Sequence, residues 1–196
     1  MVMEKNHIAE VVKVDGLDII AESERKSAIP VGTLLETAKL NKIIFIVLDD
    51  LYAPLTPDLS LRAYGIEEDK LGESYPYIDR FMRYFLRIYP LAEYGGEEQF
   101  SVVSKSPFLN ALLYEVPWER VVAFFENFEV IDELGRIDKT KFPKRNKAII
   151  NAIKTYISGV EESDLPNKKR YIVEKLSVIF KGDYTSLMEI VRGISK

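Results

Sequence analysis

The chain has 196 residues, 47% of them hydrophobic, and a formal net charge of −4, which permits a packed core and excludes wholesale disorder. It has no cysteine and one histidine, His7, so disulfides, cysteine metal sites and thiol catalysis are excluded, and His7 alone could serve a Ser–His pair. No apolar run approaches the ~18 residues of a membrane span, and a start bearing Glu4 and Glu10 does not read as a secretory signal.

These features predict a cytoplasmic protein that keeps off membranes. Scarce Cys and Gln beside abundant Lys, Glu and Ile point to a thermophile. The charge is uneven. After Ile137, 13 basic residues face 7 acidic ones. A globally acidic chain is a poor candidate for non-specific duplex DNA binding, but its C-terminal part could meet an anionic partner.

In chain order, "HIAEVVKV" (7–14) reads as a short Val-rich strand. "DG" follows as a turn and "LDII" as a second strand. "ESERKS" (22–27) is a charged loop. Ser27 reads as the cap of a helix with Pro30 in its first turn and Leu34, Leu35, Ala38 and Leu40 on one side. "KIIFIVL" (42–48) is a strand without polar alternation. Such a strand is covered on both faces, as a central parallel strand between helices is. Strand, helix and strand then make a βαβ unit.

Pro54 and Pro57 mark a loop. In "YPYIDRFMRYFLRIYP" (75–90), Ile78, Phe81, Met82, Phe85 and Leu86 recur at helical spacing, and Pro90 reads as the end of that helix. "QFSVVSK" reads as a strand, "SPFLNALLYEVPWERVVAFFENF" as one or two helices broken or started at Pro117, and "FEVID" as a last short strand. From Pro143 onward there are only helix signals, with Gly159 and Gly182 at helix ends. The predicted fold is α/β: a small, mostly parallel Rossmann-like sheet within residues 1–140, then a helical part over 141–196. The alternative is α+β, mainly helical.

Several charged groups are candidate sites. Asp49 and Asp50 end the apolar run, where α/β sheets hold ligands. They could line a pocket, bind Mg²⁺ or sit at a solvated strand end. Strand alternation makes a shared metal awkward, so no metal ligand or catalytic residue is assigned. Arg25, Lys26 and Ser27 at a helix start could meet a phosphate. Arg80, Arg83 and Arg87 form one stripe if their segment is helical. Lys144, Arg145 and Lys147, and Lys168, Lys169 and Arg170, are basic patches at helix starts, where positive charge opposes the helix dipole. Phosphate contacts would use such residues.

The stretch "IIFIVLDDL" with "YPYIDRF" is similar to the opening of sulfatase and alkaline-phosphatase superfamily enzymes, which need further His ligands than one chain with a single histidine offers. Over about residues 8–90, the order of an early strand, a charged loop, "KSAIPVGTLLE" and "NKIIFIVLDDL" resembles CRISPR-associated Rossmann-fold (CARF) domains. The DxTHG motif of one CARF branch is absent, as is the Arg–His pair of the HEPN ribonucleases fused to others. The resemblance implies a dimer that binds a cyclic oligoadenylate in an antiviral defence pathway. The expected function is a non-enzymatic ligand-sensing or complex-forming accessory protein without a cofactor. A structural interaction subunit, including one of a nucleic-acid-associated complex, and a nucleotide-cleaving enzyme are the alternatives.

Overall fold

The computed structural model describes residues 7–23, 28–38, 42–54, 82–95, 100–127 and 132–195. Its strands are β1 (Ala9–Asp15), β2 (Asp18–Ser23), β3 (Leu34–Thr37), β4 (Lys42–Pro54), β5 (Met82–Tyr94), β6 (Phe100–Ser101) and β7 (Leu112–Glu115). The helices are α1 (Trp118–Glu126), α2 (Glu133–Arg136), α3 (Arg145–Ser158), α4 (Leu165–Ile179) and α5 (Tyr184–Ser195).

The strands follow the order β2-β1-β7-β3-β4-β5-β6, and β2 also pairs with β5. Six strands therefore close into a barrel, and β6 is an extra strand on β5. Every pairing is antiparallel. This corrects the expected parallel Rossmann-like sheet, and equally the mainly helical alternative.

The physical reason lies in β4. Residues 43–48 are buried on both faces, as their continuous apolar character requires. Ile43, Phe45 and Val47 point into the barrel. Ile44, Ile46 and Leu48 point outward beneath the helices. A closed sheet with helices on its outside covers both faces of a strand as fully as a doubly wound sheet does.

Four elements differ from their sequence reading. The helix expected after Ser27 is a turn followed by β3. The Thr33 N–H donates to Pro30 O at 3.1 Å, and Gly32 has φ +96°, which glycine tolerates and L side chains resist. The helix expected over 75–90 is β5 from Met82 onward, with 75–81 outside the described residues. Pro90 lies inside β5 beside a register shift opposite Ile44 and Phe45, where a strand tolerates proline. The segment before Pro117 is β7, and helix α1 begins just after that proline. "QFSVVSK" contributes only Phe100–Ser101. "FEVID" falls mostly outside the described residues.

The first hairpin fits its sequence. Gly16 has φ +60° as the first residue of the two-residue link Gly16–Leu17 between Asp15 and Asp18, the position where a type II′ turn takes glycine. The C-terminal helices also form as read. They share one apolar core with the barrel's outer face: Ile149, Ile153, Leu176 and Ile190 lie in the same buried cluster as Ile44, Ile46 and Leu48. Burying each such side chain contributes roughly 1.5–3 kcal/mol. Among the described residues, no helix is long and apolar enough to cross a membrane.

Candidate functional site

The acid pair does not end its strand. β4 continues to Pro54, and a register shift between Val47 and Asp49 turns it just ahead of the acids. Lys144, the N-cap residue of α3, reaches both. Its Nζ lies 2.5 Å from Asp49 Oδ1 and 3.8 Å from Asp50 Oδ1. These hydrogen bonds and charges hold the Lys144 ammonium above the usual lysine range. The Asp50 N–H also donates to Asp49 Oδ1 at 2.9 Å. The expected partners Arg25 and Lys26 lie outside the described residues, as do Ser27 and Arg80.

Arg83 and Arg87 lie on a strand rather than a helix. On the barrel's outer face they meet two acids of β2. Arg83 Nε is 3.1 Å from Glu22 Oε1. Arg87 donates from Nε and Nη2 to the two Asp18 oxygens at 2.8 and 2.9 Å. The Asp18 carboxyl is lowered from its ordinary value chiefly by that hydrogen bonding. Both pairs bridge the seam where β2 meets β5 and the barrel closes. The Arg87 guanidinium also stacks 4.8 Å from the centre of the Phe142 ring.

Arg145 is not a surface group. It is 5% exposed. Its guanidinium donates to Asn146 Oδ1, Ile137 O, Asp183 Oδ2 and Ser186 Oγ. Asp183 in turn accepts the Ser186 N–H at 3.0 Å. The Ser186 and Arg145 hydrogen bonds lower its carboxyl to about 2. The physical reason is that the start of α3 packs against the start of α5, where the cation finds an acid and helix-end polar groups. Lys168 pairs with Glu126 at 2.5 Å and Arg170 with Glu174 at 2.9 Å. Lys147 is exposed and Lys169 half-buried.

A further buried carboxylate, Glu36 on β3, is 3% exposed. Arg120 of α1 bonds it, Lys42 lies 3.5 Å away, and the Tyr94 hydroxyl donates to it at 2.5 Å. This network fixes α1 to the barrel. Lys144, Arg83, Arg87, Arg145 and Lys168 thus fasten one element to another, while Arg170 pairs within its own helix. Among the described residues, no three His, Asp or Glu side chains gather as a metal site would require.

The feature that sequence reasoning missed lies at the barrel's mouth. The loop 102–111 crosses it, with Val103 and Ala111 against the interior core. Its backbone is tied to β1: the Asn110 N–H donates to Val11 O at 2.8 Å, and the Val11 N–H to Ala111 O at 3.0 Å. The Ala111 N–H donates to Phe108 O at 3.2 Å, and Asn110 takes φ +62°, so residues 108–111 form a tight turn. Phe108 is 69% exposed and Leu109 61%. Beside them opens an apolar hollow of about 1000 Å³ walled by Thr37, Ala38, Ile43, Glu93, Pro107 and Leu112. Pro107 and Asn110 were the legible signals, since both favour turns over helices. A second apolar exposure, Leu51 on the β4–β5 ribbon, lies beside Tyr52, whose ring lies tilted against Tyr84 with centres 4.7 Å apart.

No family model and no curated protein matches the chain.

Proposed function

We propose that this protein is a non-enzymatic, complex-forming accessory protein whose contact face is the loop closing the barrel's mouth. One observation carries the reading: two large apolar side chains, Phe108 and Leu109, stand out on a turn held by hydrogen bonds to β1. A turn tip is ordinarily polar. An ordered apolar tip beside an apolar hollow suits the centre of a protein interface, where aromatic and aliphatic anchors fill pockets. Because the tip is already ordered, little conformational entropy is lost on docking. The ion-paired candidates support the same reading, since Lys144, Arg87 and Arg145 are already engaged by acids of the chain itself.

The test places a photo-reactive phenylalanine analogue at position 108 of the full chain, and the same group at Tyr184 as a control. Tyr184 is 70% exposed on α5. The purified protein is irradiated alone and in extract of the cells it comes from. The reading expects a covalent protein adduct from position 108 and none from 184. Equal adduct formation from both, or none from either, would overturn it. Calorimetry with cyclic tetra-adenylate runs beside it. Submicromolar binding would move the reading from complex formation to ligand sensing.

A further inference from the structure

We infer that the outer face of α3 and α5 binds single-stranded nucleic acid, meeting phosphates with Lys147, Lys154 and Arg192 and stacking a base on Tyr184. No residue of this face belongs to the loop at the barrel's mouth, so the inference stands apart from the contact-face reading.

The face is built where two helices touch. The Asn146 amide of α3 donates to Ser186 Oγ of α5 at 3.2 Å. One turn on, Ile150 lies against Gly193, where an added Cβ would fall 2.4 Å from Ile150 Cδ1. A shallow groove of about 680 Å³ opens along this contact, and Ile150, Tyr184, Met188 and Arg192 line it. Lys147 and Lys154 are exposed. They stand one turn before and one turn after Ile150, on the same stripe of α3. Tyr184 is 70% exposed at the start of α5, two turns before Arg192. Cations and an aromatic ring thus share one strip of surface.

Charge selects the occupant. Lys139, Lys144, Arg145, Lys168 and Arg170 each hold an acid. Among the described residues, Lys147, Lys154 and Arg192 hold none. The acid in the groove's lining, Glu189, is engaged by its own chain: Asn146 Nδ2 donates to it at 2.6 Å, and Lys139 lies 3.8 Å away. Three cations without acids on two adjoining helices complement the spaced charges of a phosphate backbone. The excess of 13 basic over 7 acidic residues after Ile137 steers an anion to this helical part, although the whole chain is acidic. The exposed ring decides the form of the partner. A single strand offers unpaired base faces to an aromatic ring beside a basic groove, whereas a duplex keeps its bases stacked inside.

The experiment is fluorescence anisotropy of a labelled oligouridylate titrated with the full chain at several salt concentrations. Blunt duplex of equal length and phosphatidylserine vesicles are competitors. The dissociation constant is expected within ~1–100 μM, the range of non-specific backbone contacts. The logarithm of the binding constant should fall against the logarithm of salt with a slope of about −2, from ~0.7 per phosphate met on a single strand. Lys154→Ala should flatten that slope by about 0.7. Tyr184→Ala should weaken binding at least ~5-fold and leave the slope unchanged, because stacking releases no counterions. Arg170→Ala, on α4 away from the groove, should change neither. All these side chains are exposed, so the variants should melt with the parent. In extract freed of nucleic acid by nuclease, Tyr184 is left uncovered. A strand that does not bind would overturn the inference. So would binding indifferent to Lys147→Ala, Lys154→Ala and Arg192→Ala combined, or a loss from Arg170→Ala equal to that from Lys154→Ala. Duplex or vesicles that displace the strand as well as unlabelled strand does would reject a single strand as the partner.

Discussion

Arg87 clasps Asp18 with two parallel hydrogen bonds of 2.8 and 2.9 Å across 69 residues of chain. The two lie where β2 returns to β5, so this fork fastens the seam that makes the sheet a barrel. Both side chains are more than a third exposed, so solvent screening limits the pair to about 1 kcal/mol or less.

Lysine cannot reproduce the fork or the stacking on Phe142. Arg87→Lys is therefore expected to lower Tm by about 2–4 °C, the shift that ~1 kcal/mol produces in a chain of this size. Asp18→Asn should cost a similar amount alone and little more in the Arg87→Lys background. Thermal melts of the two single variants and the double variant measure that coupling. Fully additive losses would show that the two side chains act independently.

The Asp183–Arg145 contact gives the stability a pH dependence. The folded carboxyl lies at about 2, below the ordinary 3.8. Its contribution is fully present above 3.8 and fades as the pH falls through about 2. Asn at this position preserves the cap on Ser186 but removes the negative partner of Arg145. The Asp183 side chain is 40% exposed, so the loss after screening is about 1 kcal/mol. Asp183→Asn should melt ~2–4 °C below the parent at pH 6, and the gap should close near pH 2. A gap that stays constant across that range would assign the effect to shape rather than charge.

Asp49 and Asp50 should matter little for stability. Lys144 is 45% exposed and the two acids 36% and 30%, and exposed pairs contribute ~0–1 kcal/mol. Asp49→Asn and Asp50→Asn are expected to melt close to the parent, with or without EDTA. Tight Mg²⁺ binding in calorimetry, lost in either variant, would return an enzymatic role to consideration.

Gly32 should be far less tolerant. It combines φ +96° with a close approach to α3: an added Cβ would lie 2.5 Å from the Ala148 carbonyl oxygen and 2.6 Å from Asn151 Cβ. The left-handed backbone alone costs an L residue about 1–2 kcal/mol, and the carbonyl belongs to a packed helix that cannot easily retreat. Gly32→Ala is expected to lose more than ~4 °C of Tm. A melt unchanged from the parent would mean that the turn and α3 do not meet.

What was legible in the sequence follows from which physical signals are local. The Asp-Gly hairpin and the helices after Pro143 were readable because turn chemistry and a 3.6-residue period act within a few positions. The double burial of residues 43–48 was readable too. What covers those faces was not, because a barrel interior and a helical layer demand the same apolar run. β5 was read as a helix because Phe81, Met82, Phe85 and Leu86 satisfy helical spacing. The strand places Leu86 and Ile88 inside the barrel and Tyr89 and Leu91 outside it. The oppositely charged partners of Asp49, Asp50, Arg87 and Arg145 were hidden for another reason: each lies 38 to 95 residues away in sequence. The exposed tip left a local sign, Pro107 and Asn110 around two apolar residues, that the helix reading overrode.

The central claim is that Phe108 is covered in the working protein. Hydroxyl-radical footprinting reads it directly, comparing Phe108 with Tyr184, whose exposure in the single chain is nearly equal at 70% against 69%. Phe108 is expected to lose reactivity in nuclease-treated extract of the protein's own cells, relative to buffer, while Tyr184 does not. A ratio of Phe108 to Tyr184 reactivity that is the same in buffer and in extract would contradict it.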